Sequence, residues 1–326
     1  MKVHAMWDSY PELKQDLADV LSLIDSRIHV RNKAVEERIK EMVYSGGKLL
    51  RPAFTLLCSN IGPTYKKEDA IAVSAAIECL HLATLIHDDV IDEASHRRGV
   101  RTIHADEGNK IAIYAGDYLF SVCFTILANH ATSLSDLEFN ARGMEKILSG
   151  ELEQLNSRYQ FNVSIKDYLT RIAGKTAQLF AISFYSGAVL SQSSRRVTMI
   201  SRNIGHNIGM AFQIKDDILD YRSDFSALGK PVMSDIRQGI YNLPLIYVLQ
   251  NKPSVFHDLL AKGEAMTDHD LEEVMNLVDH YHGLEKAEQL AEKYTDKAIK
   301  QLKKLPDGEY KSIIQEVMAT LLVRSM

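Results

Sequence analysis

Two acidic clusters with the same internal spacing carry the first chemical signal in this 326-residue chain. In His87-Asp88-Asp89-Val90-Ile91-Asp92-Glu93, Asp88 and Asp92 are four residues apart. On a helix that places them about 40° apart around the axis and ~6 Å along it. Asp89 stands beside them. Carboxylates this close repel one another unless a cation lies between them. Oxygen ligands of this kind suit Mg²⁺, which keeps waters and commonly bridges to phosphate. The pattern repeats in Phe212-Gln213-Ile214-Lys215-Asp216-Asp217-Ile218-Leu219-Asp220, where Asp216, Asp217 and Asp220 stand at the same offsets. Either cluster alone could be a solvated helix end. Both end strongly apolar stretches, where uncompensated charge is costly. The repetition therefore favours one shared metal site over two solvated faces.

Cationic groups supply the complement. Gly46-Gly47-Lys48-Leu49-Leu50-Arg51-Pro52 presents Lys48 and Arg51 just after a glycine turn. Arg97-Arg98-Gly99 follows the first acidic cluster, Gly174-Lys175-Thr176-Ala177 interrupts an apolar helix, and Gly229-Lys230-Pro231 follows the second cluster. Arginine grips phosphate oxygens bidentately, and lysine acts as a point charge. The Gly-Lys pairs lack the Walker A spacing. Any single basic pair is more often a solvated face. His81, seven residues before Asp88, falls on nearly the same helix face. A lone helix histidine is usually structural.

The elements that must position these residues are helices. Apolar residues recur at helical spacing in Glu68–Asp89, Val163–Leu190, Ser194–Asp220, Leu271–Val278, Leu284–Leu302 and Tyr310–Leu322, with no strand-type alternation. Loops are expected at Asn60–Lys66, Ala131–Asp136, Ala227–Pro231, Asn251–Ser254 and Pro306–Gly308. Of seven prolines, none lies between Pro63 and Pro231. Proline inside a helix costs about 3 kcal/mol, so this gap predicts long unbroken helices. The expected architecture is all-α: residues 1–326 as a single large helical bundle around a central cavity.

Composition narrows the class. With 38 Lys+Arg, 43 Asp+Glu, 46% hydrophobic and 25% charged residues, the chain resembles an ordinary globular protein rather than a disordered one. A net charge of -5 gives no basic field for nucleic acid. Three scattered cysteines, Cys58, Cys79 and Cys123, point to a reducing, cytoplasmic setting. The first residues carry no apolar signal core. No 18-residue uninterrupted apolar run exists, so no integral membrane segment is expected.

Taken together, GGKxxRP, the two DDxxD clusters, RRG, GKTA and FQ before the second cluster resemble the trans-isoprenyl diphosphate (polyprenyl) synthases. The resemblance runs from about Gly46 to Leu249. It is nearest in type to the catalytic large subunit of hexaprenyl and heptaprenyl synthases. It implies a Mg²⁺-dependent prenyl transfer joining an allylic diphosphate to isopentenyl diphosphate, with three Mg²⁺. Asp88, Asp92 and Asp216 would hold Mg²⁺ on the allylic diphosphate, with Asp89, Asp217 and Asp220 completing the metal-binding set. Arg97, Lys175 and Lys230 match positions that grip that diphosphate. Lys48, Arg51, His81, Arg98 and the Gly47 backbone match those holding isopentenyl diphosphate. Thr176 and Gln213 match positions facing the allylic cation. Six aspartates then face six cations, which lowers the cost of enclosing so many ions. Lys215 and His87 receive no role beyond solvated or supporting residues. Family members are usually dimers, so a homodimer or a heterodimer with a small regulatory subunit is expected.

Residues upstream of Asp88 should line the cavity below the diphosphate. In the resembled family, aromatic residues four or five positions upstream stop growth early. Here those positions are the small Thr84 and Ala83, with Leu80 and Ile77 deeper. This predicts a long product, about C30–C35, for quinone side chains, with Phe120 and Phe124 as candidates for a deeper plug. Departures from the family pattern are Leu49, Arg101, Met233, Asn242 and the lack of a basic cluster around Arg324. None removes a ligand. Rival readings are a C15 or C20 synthase, a class I terpene cyclase, which would not need GGKxxRP, and a non-catalytic partner, which would commonly lose aspartates.

Overall fold

The computed structural model describes residues 3–130, 134–222 and 233–322. In chain order its helices are α1 (Pro11–Arg27), α2 (Lys33–Tyr44), α3 (Leu50–Cys58), α4 (Lys67–Ile91), α5 (Ile103–Glu107), α6 (Asn109–His130), α7 (Leu134–Asn156) and α8 (Ile165–Ile172). There follow a π-helical turn (Ala173–Ala177), α9 (Gln178–Leu190), α10 (Arg195–Arg222), α11 (Ser234–Arg237), α12 (Leu243–Leu249), α13 (Pro253–Leu260), α14 (Asp268–His280), α15 (Gly283–Leu302) and α16 (Glu309–Leu322). The fold is all-α, as the periodicity predicts. Among the described residues the one sheet is a hairpin of two-residue strands, β1 (His96–Arg97) and β2 (Val100–Arg101).

The chain groups into two compact units, each built from separate segments. The first comprises Met1–Ala141, Ile182–Arg202 and Leu305–Ile314. Here α1 buries Leu13, Leu17, Val20, Leu21 and Ile24, the one-sided stripe of an amphipathic helix. By contrast α4 is buried almost all round from Ala70 to Leu80, because α1, α3 and α6 surround it. At the α4–α6 seam Gly116 lies against the His87 ring, where an added Cβ would come within 2.3 Å of Nε2. The β1–β2 turn is Arg98-Gly99, both at positive φ (52° and 80°). That is the geometry of a type I′ turn, whose twist matches two paired strands.

The second unit comprises Arg142–Ala181, Asn203–Lys304 and Gln315–Met326. Its core runs from Tyr168 and Ile172 through Met210, Ile214 and Ile218 to Leu243, Ile246, Val274 and Ala287. Capping boxes start α8 (Ser164 with Asp167) and α14 (Thr267 with Asp270), each satisfying two helix-end N–H groups. Gly150 and Gly174 let α7 and the π-turn meet backbone to backbone: a Cβ on Gly150 would lie 2.9 Å from the Lys175 nitrogen.

Some boundaries differ from expectation. The helix α7 begins at Leu134, inside the stretch 131–136 predicted as a loop, and α13 begins at Pro253 inside the loop predicted at 251–254. Proline fits there because the first helical N–H needs no intrahelical partner. The predicted long helix 163–190 is interrupted by the π-turn. The loop expected at 227–231, with Lys230, and Arg324 lie outside the described residues. By length and composition alone α4 and α6 could each cross a membrane. The apolar window of α4 is mostly buried inside its unit, as in a core helix, whereas α6 leaves Ile113, Tyr114 and Phe124 exposed.

Candidate active site

In the first unit the accessible stripe of α4 carries His81, Thr84, Leu85 and Asp88, with Asp92 at the helix end. These fall at offsets of three and four residues, so one face presents them all. Asp89 points elsewhere: it is 3% exposed and accepts a hydrogen bond from Arg97 Nε at 2.6 Å. Burial lifts its carboxyl above the usual range, against the opposing pull of Arg97.

The cationic groups of GGKxxRP and RRG converge on the same region. Arg51 Nη1 lies 3.1 Å from His81 Nε2. Arginine can only donate, so Nε2 accepts and the imidazole proton sits on Nδ1. Burial, then Arg51, Arg98 and Arg97, hold His81 well below its ordinary pKa, so the ring is neutral. The Arg98 guanidinium lies over Gly47, where a Cβ would be only 2.4 Å from Nη1; no other residue type leaves that space. The Lys48 carbonyl accepts from the Trp7 indole at 2.8 Å, which ties the glycine turn to the start of the chain. Leu49, in place of a basic residue, is buried in a left-handed conformation (φ 50°) at the N-cap position of α3, where its carbonyl accepts from the Ala53 N–H at 3.0 Å. Arg101 is taken up by Asp106 at 2.5 Å.

One residue here was not anticipated. Glu78 is 4% exposed, one turn before His81, and its charge acts on both Arg51 and Arg98. Burial raises its pKa, and the two arginines oppose that rise. Its only sequence signal is a carboxylate within an apolar helix, i−3 from a motif histidine. His87, expected as a solvated or supporting residue, takes the supporting role: its Nε2 lies 3.1 Å from the Ile113 carbonyl and 3.5 Å from Asp117, and its ring is 5.5 Å from Phe120. It bridges α4 to α6.

Of the chain-length positions, Ala83, Leu80 and Ile77 are buried and Thr84 is half-buried, its hydroxyl donating to the His81 carbonyl at 2.8 Å. Phe124 is 47% exposed, which places it at the surface of this unit rather than at a cavity floor.

In the second unit α10 presents Asp216 half-buried and Asp220 exposed, whereas Asp217 is buried. Asp217 accepts from Tyr168 Oη at 2.7 Å and from Gln213 Nε2 at 2.9 Å. Burial pushes its carboxyl up to about 6, while those two hydrogen bonds pull it down. Thr176 Oγ1 donates to Gln213 Oε1 at 2.7 Å. Lys175 Nζ sits 2.9 Å from Glu151 of α7. Asn242 accepts from the Tyr221 hydroxyl at 2.5 Å instead of capping α12. Among the described residues no three Asp, Glu, His or Cys side chains cage an ion by themselves. The accessible carboxylates of Asp88, Asp92, Asp216 and Asp220 are oxygen donors of the kind Mg²⁺ takes, commonly one or two at a time beside substrate phosphates.

The family model for polyprenyl synthetase matches residues 32–278, spanning both acidic clusters and every motif cation. This chain belongs to the polyprenyl synthetase family. It is therefore a trans-prenyltransferase. Among similar proteins is heptaprenyl diphosphate synthase component 2 of Geobacillus stearothermophilus, 34% identical over 97% of both chains. A geranylgeranyl pyrophosphate synthase structure from Lactobacillus brevis shares 41% identity and a TM-score of 0.94, covering 98% of this chain and 99% of that one. A polyprenyl synthase from Caulobacter crescentus, solved with calcium and isoprenyl diphosphate, shares 29% identity and a TM-score of 0.90 over 99% of both chains. The other polyprenyl synthetases thus extend across the whole chain, beyond the motif span.

Proposed function

We propose that this polyprenyl synthetase adds isopentenyl diphosphate repeatedly, head to tail, to an allylic diphosphate, giving an all-trans product of about C30–C35 of the kind used in quinone side chains. The observation that carries the length assignment is the open face of α4. It runs through His81, Thr84 and Asp88, and the residue one turn before Asp88 is small and accessible. The Geobacillus relative, named for a heptaprenyl product, supports it.

In this reading Asp88 and Asp92, and on α10 Asp216 and Asp220, would hold Mg²⁺, three ions in all; Mg²⁺ supplies charge stabilisation for the departing diphosphate. Arg97, Lys175 and Lys230 grip the allylic diphosphate. Lys48, Arg51, Arg98 and neutral His81 hold isopentenyl diphosphate beside the Gly47 backbone. Thr176 and Gln213 turn oxygens toward the allylic cation, which needs negative dipoles and no strong nucleophile. The proton lost after addition goes to the departed diphosphate, so no side-chain base is required.

In the same reading residues 1–326 act as one catalytic domain, and the building of both compact units from separated segments supports it. It works as a pair, with a second copy or a small subunit; the word "component" in the Geobacillus name supports the latter. Three buried free thiols are in keeping with a cytoplasmic location. A second reading, a C20 product, is favoured by the 41% identity to the Lactobacillus geranylgeranyl synthase.

The test is to incubate the purified chain with Mg²⁺, farnesyl diphosphate and labelled isopentenyl diphosphate, then size the products. Products near C30–C35 support the proposal, and accumulation at C20 supports the second reading. Product only after adding a partner subunit indicates the two-component type. No product under either condition would defeat the synthase reading.

A further inference from the structure

Four side chains of the second unit form an unbroken hydrogen-bonded series. Tyr168 Oη donates to Asp217 Oδ2 at 2.7 Å, Gln213 Nε2 donates to Asp217 Oδ1 at 2.9 Å, and Thr176 Oγ1 donates to Gln213 Oε1 at 2.7 Å. Tyr168 is 1% exposed, Asp217 8% and Thr176 7%, so water competes little for these groups. Behind Tyr168 stands Arg171, also buried, with its guanidinium carbon 5.4 Å from the phenol ring centroid. Arg171 Nη2 donates to the Tyr241 carbonyl at 2.6 Å, which fixes it in the core.

The order of donors and acceptors in this series is set by chemistry. An ionised carboxylate only accepts, and an amide has one donating end and one accepting end. Asp217 therefore holds the NH₂ of Gln213 toward itself and turns the amide oxygen the other way. That oxygen accepts the Thr176 hydrogen bond, so the hydroxyl's remaining lone pairs are what Thr176 offers to its surroundings. With the Gln213 amide flipped, an N–H pair would stand where the oxygen is, and Thr176 would have to accept. A cation nearby would then meet donor hydrogens instead of lone pairs.

We propose that Tyr168 and Asp217 are positioning residues for the transfer step. Asp217 locks the Gln213 amide, and Tyr168 locks Asp217, so that Gln213 and Thr176 present oxygens to the developing allylic cation. This rests on the reading above that Gln213 and Thr176 face that cation. It separates the adjacent aspartates of the second cluster by role. Asp216 and Asp220 are the accessible pair, and Asp217 is spent on orientation.

The deciding experiment is a double-mutant cycle on kcat, with farnesyl diphosphate, isopentenyl diphosphate, Mg²⁺ and whatever partner activity requires. Removing a preorganised group that contacts developing charge costs about 10²–10³-fold in kcat, and a group acting through it should cost less. Tyr168→Phe, which deletes one oxygen, is expected to lower kcat about 10-fold, with KM for either diphosphate changed by less than about threefold. Gln213→Leu is expected to lower kcat by at least as much. In the Gln213→Leu background, Tyr168→Phe should then have almost no further effect, because the group it positions is gone. Additive losses, or an unchanged kcat in Tyr168→Phe alone, overturn the positioning role while leaving Gln213 in place. An unchanged kcat in Gln213→Leu overturns both this proposal and the reading of Gln213 beneath it. If thermal unfolding shows that Tyr168→Phe is not folded, Asp217→Asn takes its place in the cycle with the same expected outcomes.

Discussion

At the scale of single residues the site works by compensating charge before substrate arrives. Arg97 is already matched to Asp89 and Lys175 to Glu151. Arg51 has the neutral His81 ring at 3.1 Å and the buried Glu78 within its field. A guanidinium held in this way keeps a fixed fork, which lysine cannot reproduce. Arg51→Lys should therefore raise the KM for isopentenyl diphosphate by about 10- to 100-fold, the scale of a charge-assisted hydrogen bond at about 1.5–3 kcal/mol. The KM for the allylic substrate should stay within about twofold. Steady-state kinetics with each substrate varied in turn check the split; equal loss on both would show that Arg51 serves the fold rather than one diphosphate. The two aspartate clusters stood out by their repeated spacing, whereas the motif cations received roles only through the family resemblance. Glu78 and Tyr168 were not marked by either. Each acts through a partner distant in sequence, and nothing local in the chain marks that partner.

At the scale of elements, close approach decides geometry. Where Gly150 meets Gly174, backbone faces backbone, and neither side can yield as a flexible side chain would. Gly150→Ala should cost about 1–3 kcal/mol, the usual range for forced overpacking. It should also lower kcat, because Lys175 moves with the π-turn. A lower thermal midpoint together with a lower kcat supports this, and an unperturbed variant would mean the crossing opens without consequence. The helix α4 gives a second element-scale test. Thr84 is half-buried on the open face, while Ala83 is wholly buried. Thr84→Phe should shorten the product to about C15–C20 with little loss of stability, whereas Ala83→Phe should additionally overpack the core at about 1–3 kcal/mol. Product sizing and thermal scans separate the two; unchanged length in Thr84→Phe would sink the tunnel assignment. Periodicity predicted α4 as 68–89 and α10 as 194–220, each within two residues of the observed ends. It could not show the π-turn. One extra residue in a turn leaves the apolar spacing on both sides intact.

At the scale of the whole molecule, acid should unfold this chain partly through α2. Glu36 accepts from the Val30 N–H at 2.8 Å and pairs with Lys33 at 3.1 Å and Lys40 at 3.4 Å. The backbone N–H first, then Lys33, bring its pKa down from the ordinary 4.5 to about 2. A carboxylate depressed on folding stabilises the native state fully above its unfolded pKa, and that contribution disappears as pH falls through the folded value. Thermal midpoints measured from about pH 5 to pH 2 should fall less steeply for Glu36→Gln than for the parent chain, with the variant less stable at neutral pH. Parallel curves would remove Glu36 from the account of acid sensitivity.

The π-turn at Ala173–Ala177 has a consequence for how this sequence can change. It spends one residue more than an α-helical turn on nearly the same rotation, so the helical faces before and after it stay aligned although an extra residue lies between them. Deleting one residue from it would restore an ordinary α-helix and leave Tyr168, Arg171 and the helix beyond facing as they do. What would change is the local bulge, where Gly174 meets Gly150 and Thr176 reaches Gln213. The extra residue therefore serves the placement of Lys175 and Thr176 rather than the direction of the helix that follows.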